Sequence, residues 1–248
     1  MDLDGVVYRG NEPIPGSAEF IAWLQKTNQP FLFLTNHSSR TLDDYAAKLA
    51  RMGMVVRGEQ FITSATVTAQ FLRRERRGKM VFLIGEEGMA EAFKAAEIKT
   101  TSQNPDLVVV GFDRMFDYSL LNNACRYIFR GAEFIGTNAD NTYPLEDGPA
   151  PECGPLLAAI ENATGRKPLL MGKPEQYMYE EALQRLGVDR SAAVMVGDRL
   201  DTDIAGAKRA GIRSILVLSG ATTQEEAKES KLKADVVVAD LAACRSQL

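Results

Sequence analysis

Two carboxylates stand two residues apart in Asp2-Leu3-Asp4-Gly5, so in an extended segment both project to one side. One could attack a phosphorus atom while the other gives and then removes a proton; a plain turn also accounts for these residues. Thr35 and Asn36 end the apolar run Phe31-Leu32-Phe33-Leu34, at the strand end where open α/β sheets bind ligands. Both can donate to phosphate oxygens, or cap the helix that follows. Lys173, in Gly172-Lys173-Pro174 at the end of an apolar run Leu169 to Met171, offers a compact positive charge for phosphate and carboxylates, or is simply exposed. Asp198, Asp201 and Asp203 lie within six residues after Ala193-Val194-Met195-Val196. Hard oxygen ligands at a strand end suit Mg2+, and helix capping accounts for one of the three at most.

The elements that must position these residues alternate between apolar runs and helical periodicity, the pattern of a parallel sheet flanked by helices. Leu42, Tyr45, Ala46, Leu49 and Met52 share one face of a helix. After Gly197-Asp198 a helix is expected to run to about Ala210 and stop at Gly211, and Pro174 is expected in the first turn of a helix carrying Met178, Ala182, Leu183 and Leu186. A second series lies between, with strands near 81–84, 107–110 and 134–136 and helices near 87–96 and 118–130. The basic stretch Arg73 to Lys79 reads as a hinge or a solvated helix end. The segment Thr137 to Pro155, rich in Asn, Asp, Pro and Gly, is the longest without clear periodicity.

Composition narrows the function classes. The 248 residues are 45% hydrophobic and 25% charged, enough for a packed core. A formal charge of −4 gives no broad attraction for nucleic acid or anionic lipid, so neither is an expected partner. No apolar run approaches the roughly 20 residues needed to span a bilayer. Cys125, Cys153 and Cys244 lack the close spacing of a zinc site. A reducing cytoplasm is the expected location.

Taken together and in order, the four stretches resemble the four motifs of the haloacid dehalogenase (HAD) superfamily. Asp-Leu-Asp-Gly-Val-Val-Tyr, Thr-Asn-His-Ser-Ser and Gly-Asp-Arg-Leu-Asp-Thr-Asp-Ile are similar to the NagD-like, para-nitrophenyl phosphatase group. The resemblance implies an α/β fold, a Rossmann-like parallel-sheet core over residues 1–78 and 172–248, with an inserted α/β cap over 79–171. It implies a Mg2+-dependent phosphatase acting on small phosphorylated metabolites, a nucleoside monophosphate or sugar phosphate among them, through an aspartyl phosphate. By position, Asp2 is the nucleophile and Asp4 the general acid/base. Thr35 and Asn36 hold the phosphoryl group, and Lys173 neutralises charge. Asp2, the Asp4 carbonyl and Asp198 hold Mg2+, and Asp203 orients Lys173 or a metal-bound water. Asp201 receives no role. Asp4 also argues against dehalogenase chemistry, which lacks an acid/base there.

The implied cap selects the substrate, and Asn138, Asp140 and Tyr143 are the residues expected to meet the leaving group. The loop departs from the group's pattern: Thr137-Asn138-Ala139-Asp140 stands for Thr-Asn-Pro-Asp, and Pro151-Glu152-Cys153-Gly154 for Pro-Gly-x-Gly. His37, the one histidine, is expected in a structural or substrate-lining role, with no serine or cysteine motif to complete a triad. The alternatives on the same residues are a phosphotransferase or phosphomutase and a non-catalytic binding module, and a homodimer is compatible with all three. A buried strand should run into Asp2, yet only Met1 precedes it. The expectation is that the natural start lies upstream or that about four to six residues, a strand's worth, are lost. Without them the sheet centre should weaken and Asp2 should sit away from Asp198.

Overall fold

The computed structural model describes residues 1–145 and 148–247, with the side chains of Pro144 and Leu145 left aside. Contacts divide the chain into two compact units, one of Met1–Thr35, Leu42–Ile62 and Lys173–Leu248, the other of Asn36–Thr41 and Thr63–Gly172. Both are α/β, as the alternation of apolar runs and helical periodicity predicts.

In the first unit, Val194–Gly197, Arg213–Val217 and Val236–Val238 form a parallel sheet, and Phe33–Thr35 neighbours Phe61–Thr63. Met1 and Asp2 bridge the two sets. The Met1 nitrogen donates to Leu32 O at 2.8 Å, Leu34 N donates to Met1 O at 2.8 Å, and Asp2 N donates to Val196 O at 2.9 Å. Two residues thus do the work of a strand. Behind them a cavity of about 250 Å³ opens beside Met1, Phe31, Leu32, Val194 and Met195. The expected separation of Asp2 from Asp198 does not occur: Asp2 is anchored from both sides and their carboxylates lie within 4.8 Å. The apolar core behind these strands gathers Leu3, Val7, Phe20, Leu24, Phe33, Tyr45, Leu49, Phe61, Val196 and Ile215.

In the second unit, parallel strands run in the order Leu169–Leu170, Glu133–Gly136, Leu107–Val110, Val81–Ile84. Leu107–Val110 is buried throughout, as expected of a parallel strand covered on both faces. The helices Tyr118–Phe129 and Cys153–Thr164 supply Ala124, Cys125, Ile128, Leu157 and Ile160 to its core.

Several sequence expectations are revised. The boundary expected at residues 78/79 falls inside the second unit, because helix Ser64–Glu75 packs beside Glu87–Ala95. The aperiodic loop contains an antiparallel pair, Thr142–Leu145 with Gly148–Pro151; three of its prolines mask the strand pattern, and residues 146 and 147 lie outside the described residues. Pro174 precedes the helix Gln176–Leu186 and its N-cap Glu175 instead of opening it. Asp2 and Asp4 do not lie on one extended segment: Gly5 takes φ +79° and Val6, Val7 and Tyr8 all donate to Leu3 O, a turn. Among the described residues, no helix is long and apolar enough to cross a membrane, and the three cysteines are free and buried.

Phe61 is fully buried and its ring lies 5.0 Å from that of Phe33 and 5.6 Å from that of Tyr45. Phe61→Ala should cost about 3–5 kcal/mol. In urea unfolding this appears as a lower midpoint at unchanged slope.

Candidate active site

The ends of three chain segments in the first unit meet at one lysine. Lys173 Nζ lies 2.8 Å from Asp2 Oδ1 and 2.7 Å from Asp203 Oδ1 and donates to Leu34 O at 3.2 Å. These three acceptors match the three donors of an ammonium. Lys173 reaches this place from the turn ahead of the helix Gln176–Leu186. The strand expected to present it, Leu169–Leu170, belongs to the second unit's sheet.

Asp198 follows the strand Val194–Gly197 and is buried. Beyond it the chain makes a wide turn, Leu200–Ile204, before the helix Ala205–Ala210, with both Asp203 N and Ile204 N donating to Arg199 O. The turn folds the Asp203 carboxylate back, so that its Oδ2 accepts from Asp198 N at 3.2 Å and Arg199 N at 3.1 Å. Tyr179 fastens the turn from beneath, its hydroxyl donating to Thr202 O and Asp203 O. Asp201 instead points outward and pairs with Arg199 at 2.9 Å.

A second loop closes over Asp198. Ala221 N donates to its Oδ2 at 2.6 Å, Thr222 N donates to its backbone oxygen at 3.2 Å, and Ser219 Oγ donates to Gly5 O at 2.8 Å. A Cβ on Gly5 or Gly220 would collide with the Asp198 carboxylate, and one on Gly197 with Asp203. At these three positions only glycine leaves room for the acids.

Carboxylate oxygens of Asp2, Asp198 and Asp203 lie within 4.8 Å of one another. With all three ionised and one ammonium among them, the cluster carries two negative charges in excess. Burial first, then the carboxylates of Asp203 and Asp2, push Asp198 up to about 8. Burial also pushes Asp203 up to about 6, against the pull of Lys173. Lys173 itself is opposed by burial, but Asp2 and Asp203 outweigh that and hold it above the usual lysine range. Asp198 Oδ1 is buried without any hydrogen-bond partner. An orphaned carboxylate oxygen facing other carboxylates fits a hard divalent cation. Asp203 has both oxygens engaged, which leaves Asp2 and Asp198 as the side chains with capacity for an ion.

Asp4 lies outside this cluster, and its Oδ2 accepts from the Tyr8 hydroxyl at 3.2 Å. Thr35 ends its strand buried. Asn36, the next residue, is counted with the second unit, where its Nδ2 donates to Asp140 Oδ2 at 3.1 Å. Asn138 Nδ2 donates to Asn36 O at 2.8 Å, and Asp140 N donates to Asn138 Oδ1 at 2.9 Å. A Cβ on Gly172 would stand 2.6 Å from Asn36 Oδ1. Asn138 and Asp140 are thus occupied with Asn36, while Tyr143 packs its ring 5.4 Å from that of His37. Sequence reasoning missed Gly5, Gly220 and Ala221, since a backbone amide or a glycine leaves no chemical signature, and Ser219 and Tyr179, whose hydroxyls bond backbone oxygens far away in the sequence.

Asp198 and Asp203 both titrate above the roughly 4 of an unfolded aspartate. Their protonated forms favour the fold at low pH, and that contribution is lost as pH rises through about 6 and then about 8. A divalent ion binds only the deprotonated form. The thermal upshift produced by Mg2+ should therefore be larger at about pH 8 than at about pH 5 in differential scanning calorimetry. Asp198→Asn and Gly220→Ala should both lose most of it.

Comparison with known proteins agrees with this geometry. A family profile described as "Haloacid dehalogenase-like hydrolase" matches residues 1–99, and one described as "HAD-hyrolase-like" matches residues 170–244. The chain is 38% identical to the acid sugar phosphatase of Staphylococcus saprophyticus, over 97% of this chain and 93% of that protein. It is 39% identical to the 5'-nucleotidase YutF of Bacillus subtilis, over 91% of this chain and 88% of that protein. Among solved structures, the 4-nitrophenylphosphatase of Thermotoga maritima superposes with a TM-score of 0.93 at 39% identity, covering 97% of this chain and 93% of that one. The glycerol phosphate phosphatase of Mycobacterium tuberculosis, solved in complex with magnesium, gives 0.91 at 35%, covering 97% and 73%. With buried acids disposed about one lysine, and relatives alike over nearly its whole length, the chain belongs to the haloacid dehalogenase-like hydrolase family.

Proposed function

We propose that this protein is a Mg2+-dependent phosphoric monoester hydrolase acting on small phosphorylated metabolites in the cytoplasm. The observation that carries the reading is the orphaned Asp198 Oδ1 beside Asp2, with Lys173 bonded to Asp2. A nucleophilic carboxylate must be held still with its charge balanced, and Lys173, 2.8 Å from Asp2 Oδ1, does both. The residue roles follow from that.

An Asp2 carboxylate oxygen attacks phosphorus and forms the acyl phosphate bond as the bond to the leaving oxygen breaks. Asp4 gives that oxygen its proton. Asp4 then takes a proton from water, whose oxygen attacks phosphorus, and the bond to Asp2 breaks to release inorganic phosphate. Thr35 and Asn36 donate to the phosphoryl oxygens. Asp203 keeps Lys173 in place and ties the Asp198 and Arg199 amides together. Asp2, Asp198 and the Asp4 carbonyl would hold Mg2+, which would supply positive charge to offset repulsion between a phosphate dianion and these acids. The second unit serves as an inserted cap that selects the leaving group. Of the relatives above, one is named an acid sugar phosphatase and another a 5'-nucleotidase, and a substrate of that size suits this reading.

The test is phosphate release from a panel of phosphomonoesters, with Mg2+ and with chelator. Release should require Mg2+. Asp2→Asn should lower kcat on the order of 10³-fold or more while the protein still unfolds cooperatively. Turnover of the panel undiminished by chelator, or by Asp2→Asn, rules the reading out.

A further inference from the structure

Asp4 stands apart from the acid cluster, and the groups that hold it lie entirely within the first unit. The turn over residues 3–8 returns Tyr8 to its side, with Tyr8 N donating to Leu3 O and Gly5 N donating to Tyr8 O. From there the Tyr8 hydroxyl donates to Asp4 Oδ2 at 3.2 Å. The Tyr8 ring is buried in the core with Leu3, Tyr45 and Leu49. An ammonium lies over its face: Lys48 Nζ, from the helix Leu42–Arg51, is 3.5 Å from the ring centroid. Lys48 is itself buried, and an aromatic face attracts a cation most strongly where water is excluded. The contact limits tilting of the ring.

A carboxyl that protonates a leaving oxygen must present the oxygen that carries the proton. Its two oxygens are interchangeable until a neighbour takes one. At Asp4 the Tyr8 hydroxyl takes Oδ2, and exchanging the two oxygens by rotation would cost that bond. Asp4 is half-buried, so its other oxygen, Oδ1, is the one left for a ligand.

We propose, resting on the phosphatase reading, that Tyr8 is a positioning residue that fixes the Asp4 carboxyl with Oδ1 as the oxygen that carries the transferred proton. Lys48 positions Tyr8 through its ring. The proton leaves Oδ1 for the leaving oxygen as the bond from that oxygen to phosphorus breaks, and Asp4 is left as a carboxylate.

The experiment measures kcat/KM, which reports the steps up to departure of the leaving group, for glycerol 3-phosphate and for 4-nitrophenyl phosphate. The first loses an alkoxide that needs a proton, the second a nitrophenolate that departs without one. In Tyr8→Phe the ratio of kcat/KM for glycerol 3-phosphate over 4-nitrophenyl phosphate should fall about tenfold, a part of the rate that a well-placed general acid supplies. Lys48→Met, which keeps an apolar stem and removes the ammonium, should lower the same ratio about threefold. Once Asp4→Asn has removed the acid, adding Tyr8→Phe should change the remaining ratio by less than about twofold, because nothing is left to position. A loss of folded protein would lower both substrates together. A ratio unmoved by Tyr8→Phe, or a further tenfold fall in the Asp4→Asn background, overturns the inference and leaves the phosphatase reading standing. If Tyr8→Phe does not fold, Lys48→Met decides alone, and an unmoved ratio there overturns the inference as well. No Mg2+-dependent release from any ester by the wild type overturns both.

Discussion

Three buried carboxylates within a few ångström of one another would not be stable together, and a single ammonium makes the cluster tolerable. Removing a carboxylate from water costs several kcal/mol even after the protein relaxes. Lys173 answers for two of the three, with Asp2 and Asp203 each in direct contact. Asp198 is left with backbone amides on one oxygen and nothing on the other. The fold therefore stores an unmet electrostatic demand at one atom, of the kind a hard divalent ion would meet. A protein selected only for stability would have an apolar residue here.

Holding that arrangement requires loops without side chains. Gly5, Gly197 and Gly220 each approach a carboxylate so closely that a methyl group would push it aside. The backbone then comes near enough for Ala221 N and Arg199 N to serve as ligands to the acids. Charge compensation by a lysine sets the pattern, and backbone amides refine it. Asp2 enters the cluster directly after Met1. It stays because its amide and the Met1 carbonyl are hydrogen-bonded to neighbours on either side.

In the second unit the same economy operates with neutral groups. Asn36 is fixed by Asn138 and Asp140, and His37 by Glu152 and Ser39. Along the chain, Glu152 carries no signal of a partner. In space it is the partner of the chain's single histidine, 115 residues away.

Much of this protein is determined by local sequence alone. Apolar runs ending in Thr35, and in Gly197 before Asp198, declare parallel strands and the ends where ligands bind, because side-chain period and strand-end chemistry are local properties. The acids and Lys173 are legible for the same reason: few other residue types can carry a phosphoryl group or a divalent ion. Strands interrupted by Pro144, Pro149 and Pro151 are not legible, since they pair at an edge against their own propensity. Tertiary structure alone decided which carboxylate oxygen is left without a partner, which glycines make room, and which acid faces His37. Those outcomes depend on distances between residues far apart in the chain, and a linear pattern holds no distances.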